Sequence, residues 1–363
     1  MARDLNVGII GVNTSGGWAA EAHVPAVGAV AGLRLAAVAA SSPAAAEEAA
    51  QAFGADKAFG DGLALIADPE IDIVTVATRV PDHRALLEAA LAAGKHVYSE
   101  WPLGAGAREA RAIADAAAGA GVRHAVGLQS RESPAVRRAR EMLAAGALGR
   151  ILRVAVFSTT AGFGPDVPPR FAYLEDPAAF ANLVTIQGAH TLDLLIALGG
   201  PLASMDALVS RQFPRIRIGE PRRPRERVTF DHLLMQGLQA GGAPFTLEVA
   251  GGQAGETPFH LDIAGETGHL RLEGGAPRGL QSGRIRLLLD GEAQVVDAGD
   301  LADLPEAAVN VAGVYHALHH DIRSGSATVT DFAHALRLTR LIEDVLATAR
   351  TAPSPAGADW PVG

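Results

Sequence analysis

Through its first 127 residues the chain alternates short, β-rich apolar runs with longer helix-like segments, and that alternation narrows its fold more than any other feature. The runs at 5–11, 35–40 and 71–78 are separated by segments at 44–53 and 83–93 of helical spacing, which end near Gly54 and Gly94 as helix C-termini often do. Such order favours parallel strands joined by crossover helices. Two further helices are expected at 108–118 and 135–145. From residue 151 the texture changes. Runs at 152–159, 245–250, 260–264, 269–273 and 284–289 read as strands between glycine-rich turns, predicting a mostly antiparallel sheet. Segments 314–324 and 331–348 are helical again, and the C-terminal helix is expected to pack back on the first domain. The expected fold is α/β: a doubly wound parallel sheet over 1–127, an α/β domain with a large, mostly antiparallel open sheet over 128–351, and a proline- and glycine-rich tail over 352–363.

Composition bounds the partners. A chain of 363 residues, 48% hydrophobic and 20% charged, can bury the cores of two domains. A net charge of -9 argues against a nucleic-acid backbone or an anionic membrane surface, since either requires a basic face. With no cysteine, disulfides, thiolate metal sites and cysteine nucleophiles are all excluded. No long apolar stretch of signal-peptide or membrane-spanning kind follows residues 1–6, so the expected location is cytoplasmic.

The first run ends at Gly11 and continues VNTSGGWAAEAH: strand, glycine-bearing turn, helix start. Such a turn presents backbone N–H groups and a helix N-terminus to a pyrophosphate. The usual G-x-G-x-x-G spacing is absent, because Asn13, Thr14 and Ser15 separate Gly11 from Gly16 and Gly17, with Trp18 following; an ordinary strand-to-helix turn would read the same way. At the end of the second strand, where NAD-selective sites usually carry a carboxylate, stand Ser41 and Ser42. Their hydroxyls either donate to a 2'-phosphate, which permits NADP and slightly favours it over NAD, or cap the helix starting near Pro43.

The segment IDIVTVATRVPDHRALLEAALAAGKHVYSEWP at 71–102 resembles the Gfo/Idh/MocA oxidoreductases, as do GLQSRESPAVRRA at 127–139, QGAHTLDLLIALGG at 187–200 and the DIAGETGHLRLEG pair from 262. The resemblance implies an N-terminal Rossmann domain and an α/β domain whose open sheet carries substrate and often oligomer contacts, here a homodimer or homotetramer. It also implies cofactor contacts at Thr78, His83, Glu100, Trp101 and Gln129. Within the family, the loop GVNTSGGWAAEAH, the Glu100-Trp101 pair and FDHLLMQG at 230–237 are similar to the branch of fungal galactose-pathway repressors, which bind NAD(P) but act through protein contacts.

In the enzymes of that family a lysine follows the glutamate of EKP, and an aspartate stands four residues before a histidine. Here those positions hold Trp101 and Ile186, and only His190 remains. Hydride removal from an alcohol needs a base near the working pH, and a single imidazole, with an ordinary pKa of about 6.5, suffices. His190 also reads as a satisfied histidine on a buried helix, and Trp101 as an indole filling a core gap. Arg131 and Tyr173 are candidate substrate contacts together with Trp101 and His190; an aromatic packing on its own domain explains Tyr173 equally well. His316, His319, His320 and Asp321 have ligand-like helical spacing, but a surface or interface cluster is the commoner outcome and no metal is expected. The arginine-rich run 215–227 reads as a solvated loop, although the resemblance implies that this region can approach the substrate or a neighbouring subunit. The leading expectation is an NAD(P)-dependent oxidoreductase acting on a sugar, cyclitol or related polyol, a carbohydrate-like small molecule. The alternatives are a catalytically silent NAD(P)-binding sensor and a nicotinamide-assisted elimination or glycoside cleavage.

Overall fold

The computed structural model describes residues 3–219, 223–253 and 255–353. They form two compact units: Met1–Pro134 with Gln281–Arg284 and Val296–Arg340, and Ala135–Leu280 with Ile285–Val295 and Leu341–Gly363. From residue 354 the expected tail lies outside the described residues.

In the first unit the strands are β1 (Leu5–Ile10), β2 (Leu33–Ala39), β3 (Lys57–Phe59), β4 (Ile73–Val76), β5 (His96–Ser99) and β6 (His124–Val126). The helices between them are α1 (Val24–Ala29), α2 (Pro43–Phe53), α3 (Gly62–Ala67), α4 (Val80–Ala92) and α5 (Ala107–Ala120). All six strands are parallel, in the order β3-β2-β1-β4-β5-β6. The chain therefore builds outward from β1 to β3, returns beside β1 as β4, and builds the other way. This is the Rossmann arrangement, with its strand order reversing between β1 and β4. Leu5, Val7, Ile9 and Ile10 are all buried, as expected of a central strand covered on both faces. Ser42 caps α2 by accepting the Ala45 N–H at 3.2 Å, and Gly54, at φ 71°, closes it. The short β3 and α3 carry too few residues to show a period, and the sequence reading missed them.

The second unit contains α6 (Pro134–Ala144), β7 (Ile151–Thr159), β8 (Asp166–Val167), α7 (Ala189–Gly199), β9 (Leu202–Ser210), β10 (Arg215–Ile218), β11 (Arg223–Glu226), β12 (His232–Gln239), β13 (Pro244–Ala250), β14 (Phe259–Gly265), β15 (His269–Gly274), β16 (Ile285–Leu289) and β17 (Glu292–Ala293). After α8 (Glu306–Ser324) and α9 (Phe332–Thr348), β18 (Arg350–Thr351) completes a nine-stranded sheet in the order β17-β16-β15-β14-β7-β13-β12-β9-β18. Only β7 with β13 and β9 with β18 pair in parallel, so the sheet is mostly antiparallel as expected. One face is apolar and buried, carrying Val154 and Val156 of β7, Phe245 and Leu247 of β13, and Leu261 and Ile263 of β14. The stretch Pro177–Gly199 is long and apolar enough to cross a membrane, but 83% of its most apolar window is buried, which marks a core helix.

The arginine-rich run is not a solvated loop. Its described residues form β10 and β11, an antiparallel pair joined in parallel to β8, and Arg227 just beyond them is buried. In the C-terminal region α8 starts at Glu306 rather than 314 and lies in the core of the first unit, where Val311, Tyr315 and Leu318 share a cluster with Val27 and Val30. Gly313 permits its close approach: a Cβ there would stand 2.7 Å from the Glu132 carbonyl oxygen. The two units divide α9 between Arg340 and Leu341.

Candidate functional site

The carboxyl ends of β1 and β4 are neighbours, with Ile10 paired to Val76, and the segments leaving them make the site of the first unit. Gly11 has φ 99°, and a Cβ there would lie 2.6 Å from the Ala77 carbonyl oxygen; only glycine lets the two segments pass this closely. Gly16 and Gly17, at φ 95° and 130°, continue the turn into a wide helical turn at Ala19–His23 and then α1. Three side-chain contacts shape the loop. Ser15 donates to Asn13 Oδ1 at 2.7 Å, Thr14 donates to Glu48 Oε1 of α2 at 2.5 Å, and the Gly17 N–H donates to Glu21 Oε1 at 3.2 Å. Trp18 Nε1 and Thr78 Oγ1 are buried and have no hydrogen-bond partner among the described residues. A glycine cradle with buried, unspent polar atoms beside it, at the point where strand order reverses, fits a dinucleotide.

At the end of β5 the side chain of Glu100 is held by a chain of buried groups. His23 Nε2 lies 3.0 Å from Glu100 Oε1, His23 Nδ1 lies 2.9 Å from the Tyr315 hydroxyl, and that hydroxyl lies 2.7 Å from Thr75 Oγ1. With Glu100 ionised, one direction satisfies every group: His23 donates to the carboxylate and accepts from Tyr315, which accepts from Thr75. Burial pushes the Tyr315 phenol well above its usual range, so it serves here as an O–H. Tyr98 packs edge-on against His23 with centroids 5.0 Å apart. Gly127 leaves room for the carboxylate, since a Cβ there would lie 2.7 Å from Glu100 Oε1.

The remaining candidates of this unit are accounted for individually. Both ring nitrogens of His83 face backbone carbonyls, Pro102 at 2.9 Å and Thr78 at 3.2 Å, so His83 ties the β4 turn to the segment after β5. Burial, only partly offset by those two carbonyls, holds the ring below its usual pKa and keeps it neutral. Trp101 is buried, and its bond to Pro102 is cis. Gln129 is buried in the turn after β6, with Oε1 unpartnered. Arg131 donates to His334 Nε2 at 3.3 Å. Ser41 is exposed, while Ser42 is engaged as the α2 cap. Asp321 organises the turn after α8, accepting from Ser326, Thr328 and the Val329 N–H. Among the described residues no group of three or more His, Asp or Glu is arranged to hold a metal.

His190 and Tyr173 belong to the second unit. His190 is buried in the first turn of α7, just after the wide turn Val184–Gly188 that carries Ile186. Asn182 starts that turn by accepting the Val184 and Thr185 N–H groups at 3.1 and 3.2 Å. Tyr173 lies in a short helical stretch, Pro169–Glu175, rather than in an open loop. That stretch is anchored by Arg227, whose guanidinium donates to both Glu175 oxygens at 2.8 and 3.1 Å, to Asp231 at 2.7 Å, and to the Phe163 and Gly164 carbonyls. The sequence reading passed over Arg227, His23, Tyr315 and Glu48 as site-forming residues. Local periodicity carries no sign of partners 52, 77, 292 or 34 positions away.

Residues 5–128 match the model of the oxidoreductase family with the NAD-binding Rossmann fold, and residues 134–274 that of the Gal80p C-terminal domain. Among curated relatives, the chain is 36% identical to the dehydrogenase aclE of Aspergillus oryzae, over 50% of each chain. It is 31% identical to the levoglucosan dehydrogenase of Pseudarthrobacter phenanthrenivorans, over 58% of this chain and 55% of that one. These matches thus span about half the length of each relative. Among solved structures, a super-repressor mutant of Gal80p from Saccharomyces cerevisiae superposes with a TM-score of 0.83 at 24% identity, covering 95% of this chain and 96% of that one. Levoglucosan dehydrogenase in complex with NADH and L-sorbose superposes with a TM-score of 0.79 at 23% identity, covering 96% and 97%. At such identities the superpositions establish the fold. The chain thus joins a domain of the Gfo/Idh/MocA oxidoreductase family, over residues 5–128, to a domain of the Gal80p C-terminal kind, over residues 134–274.

Proposed function

We propose that the protein is a nicotinamide-dependent oxidoreductase that interconverts a hydroxyl and a carbonyl on a sugar, cyclitol or related polyol. The observation that carries this reading is the cradle at the β1–β4 reversal: Gly11 held against Ala77, with Trp18 Nε1 and Thr78 Oγ1 buried and unspent. In this reading the amides of residues 11–18 bind the pyrophosphate, and Thr78, Glu100, Trp101 and Gln129 line the nicotinamide end. The bound dinucleotide supplies the hydride acceptor. For the chemistry itself the sequence offers His190 as the base for the hydroxyl proton, and Trp101, Arg131 and Tyr173 as contacts to the polyol. His83 acts one step back, by holding the Thr78 and Pro102 segments together. Support for the substrate class comes from the relatives, one a levoglucosan dehydrogenase and one structure carrying L-sorbose beside NADH.

A second reading is favoured by two specific observations. Trp101 and Ile186 stand where the family's enzymes carry lysine and aspartate, and residues 134–274 match the C-terminal domain of a regulator. On that reading the protein binds the dinucleotide and signals by contact with another protein. The readings separate in two measurements. Titration with NADH and NADPH, followed by nicotinamide fluorescence, should saturate with at least one; no saturable change with either would remove the site. A panel of sugars and cyclitols, followed at the reduced-nicotinamide absorbance band, should give turnover that His190→Ala abolishes. Turnover indifferent to that change discards His190 as the base, and binding without turnover across the panel selects the sensor.

A further inference from the structure

We propose that the nucleotide site selects NAD over its 2'-phosphorylated form, and that Glu48 makes the choice; the inference rests on the dinucleotide reading above. Sites on this kind of sheet usually discriminate through a carboxylate at the end of the second strand, where this chain has Ala39, Ala40 and Ser41. The fold supplies the acid from another place. Glu48 lies in the second turn of α2, the helix that leaves β2, and its Oε1 accepts the Thr14 hydroxyl at 2.5 Å. Thr14 belongs to the loop that follows β1, so this contact fixes a negative charge against the phosphate-binding loop itself.

No cation offsets that charge from the same part of the chain. Among residues 4–56 the only lysine or arginine is Arg34. It lies near the amino end of β2, opposite in register to Asn6, and its guanidinium is engaged by Asp56 and by Asn6 Oδ1 at 3.0 Å. Lys57, the next, opens β3 and is held by Asp68 at 2.7 Å and Glu70 at 2.5 Å. Both cations thus stand at the strand ends remote from the loop. Ser42, whose oxygen caps α2 by accepting the Ala45 N–H, keeps its O–H as a donor but carries no charge to balance a phosphate. A 2'-phosphate would meet a held carboxylate and no counter-charge from this segment. A ribose hydroxyl, by contrast, would meet an acceptor.

The test is direct binding, read by nicotinamide fluorescence and by calorimetry in low and high salt, for wild type, Glu48→Gln and Glu48→Arg. Wild type should bind NADH at least about tenfold more tightly than NADPH in low salt, with the gap narrowing as salt screens the carboxylate. Glu48→Gln should close most of the gap by improving NADPH binding, and Glu48→Arg should invert it. Because Glu48 is exposed, both variants should keep the wild-type unfolding midpoint. Equal wild-type affinities, or a preference that neither substitution moves, would overturn the inference and leave the dinucleotide site standing. Failure of wild type to bind either nucleotide would overturn both.

Discussion

His83 stands between two carbonyl oxygens that a neutral imidazole cannot both satisfy as a donor, and burial keeps it neutral. The cost falls on acid stability. Its folded pKa lies below the unfolded value of about 6.5, so as the pH falls the unfolded chain takes up a proton before the folded one does. The associated stability is complete above the unfolded value and is lost as the pH drops from there through the folded value, with a slope of up to about 1.4 kcal/mol per pH unit. Urea unfolding of wild type and His83→Asn across this range should show a steeper loss in wild type; parallel curves would contradict the assignment. The family resemblance put His83 among the cofactor contacts. What it did not reveal is that both ring nitrogens face backbone carbonyls, of which a neutral ring can donate to one.

Among the elements, those with a full period or a clear cap were legible: β1, α2, β7 and β14 fall within two residues of their expected bounds. The opening of α8 was not, because helical residues that face a core on several sides lose their amphipathic stripe. The arginine-rich run misled for a different reason. Charge and proline there suggested water, whereas the Arg227 side chain is fully buried between those of Glu175 and Asp231, each at most 2% exposed. Removing one partner of such a network leaves uncompensated charge. Arg227→Met should therefore cost about 3–5 kcal/mol in chemical unfolding and expose the Pro169–Glu175 stretch to limited proteolysis. A loss below about 1 kcal/mol would show that the two carboxylates find other partners or take up protons.

For the molecule as a whole, we propose that the open face of the nine-stranded sheet is where copies of the chain assemble. Along β12, Leu233 and Met235 point into the core, while Leu234 and Leu238 point outward and are 38% and 46% exposed. On the same broad sheet Phe157 and His260 stack at 5.3 Å. A homodimer or homotetramer built on this face is expected in light scattering. Leu234→Asp should shift it toward monomer without lowering the unfolding midpoint of the monomer; a wild-type monomer at high concentration would contradict this. The sequence by itself determined the parallel first sheet, the mostly antiparallel second one, the glycine turn after β1 and the family, because each is written in residues close together in the chain. Only the tertiary structure decided that Glu48 faces Thr14, that Tyr315 reaches through His23 to Glu100, and that Arg227 lies inside. Those pairings depend on which distant segments the packed sheets bring within hydrogen-bonding distance, and no local period records that.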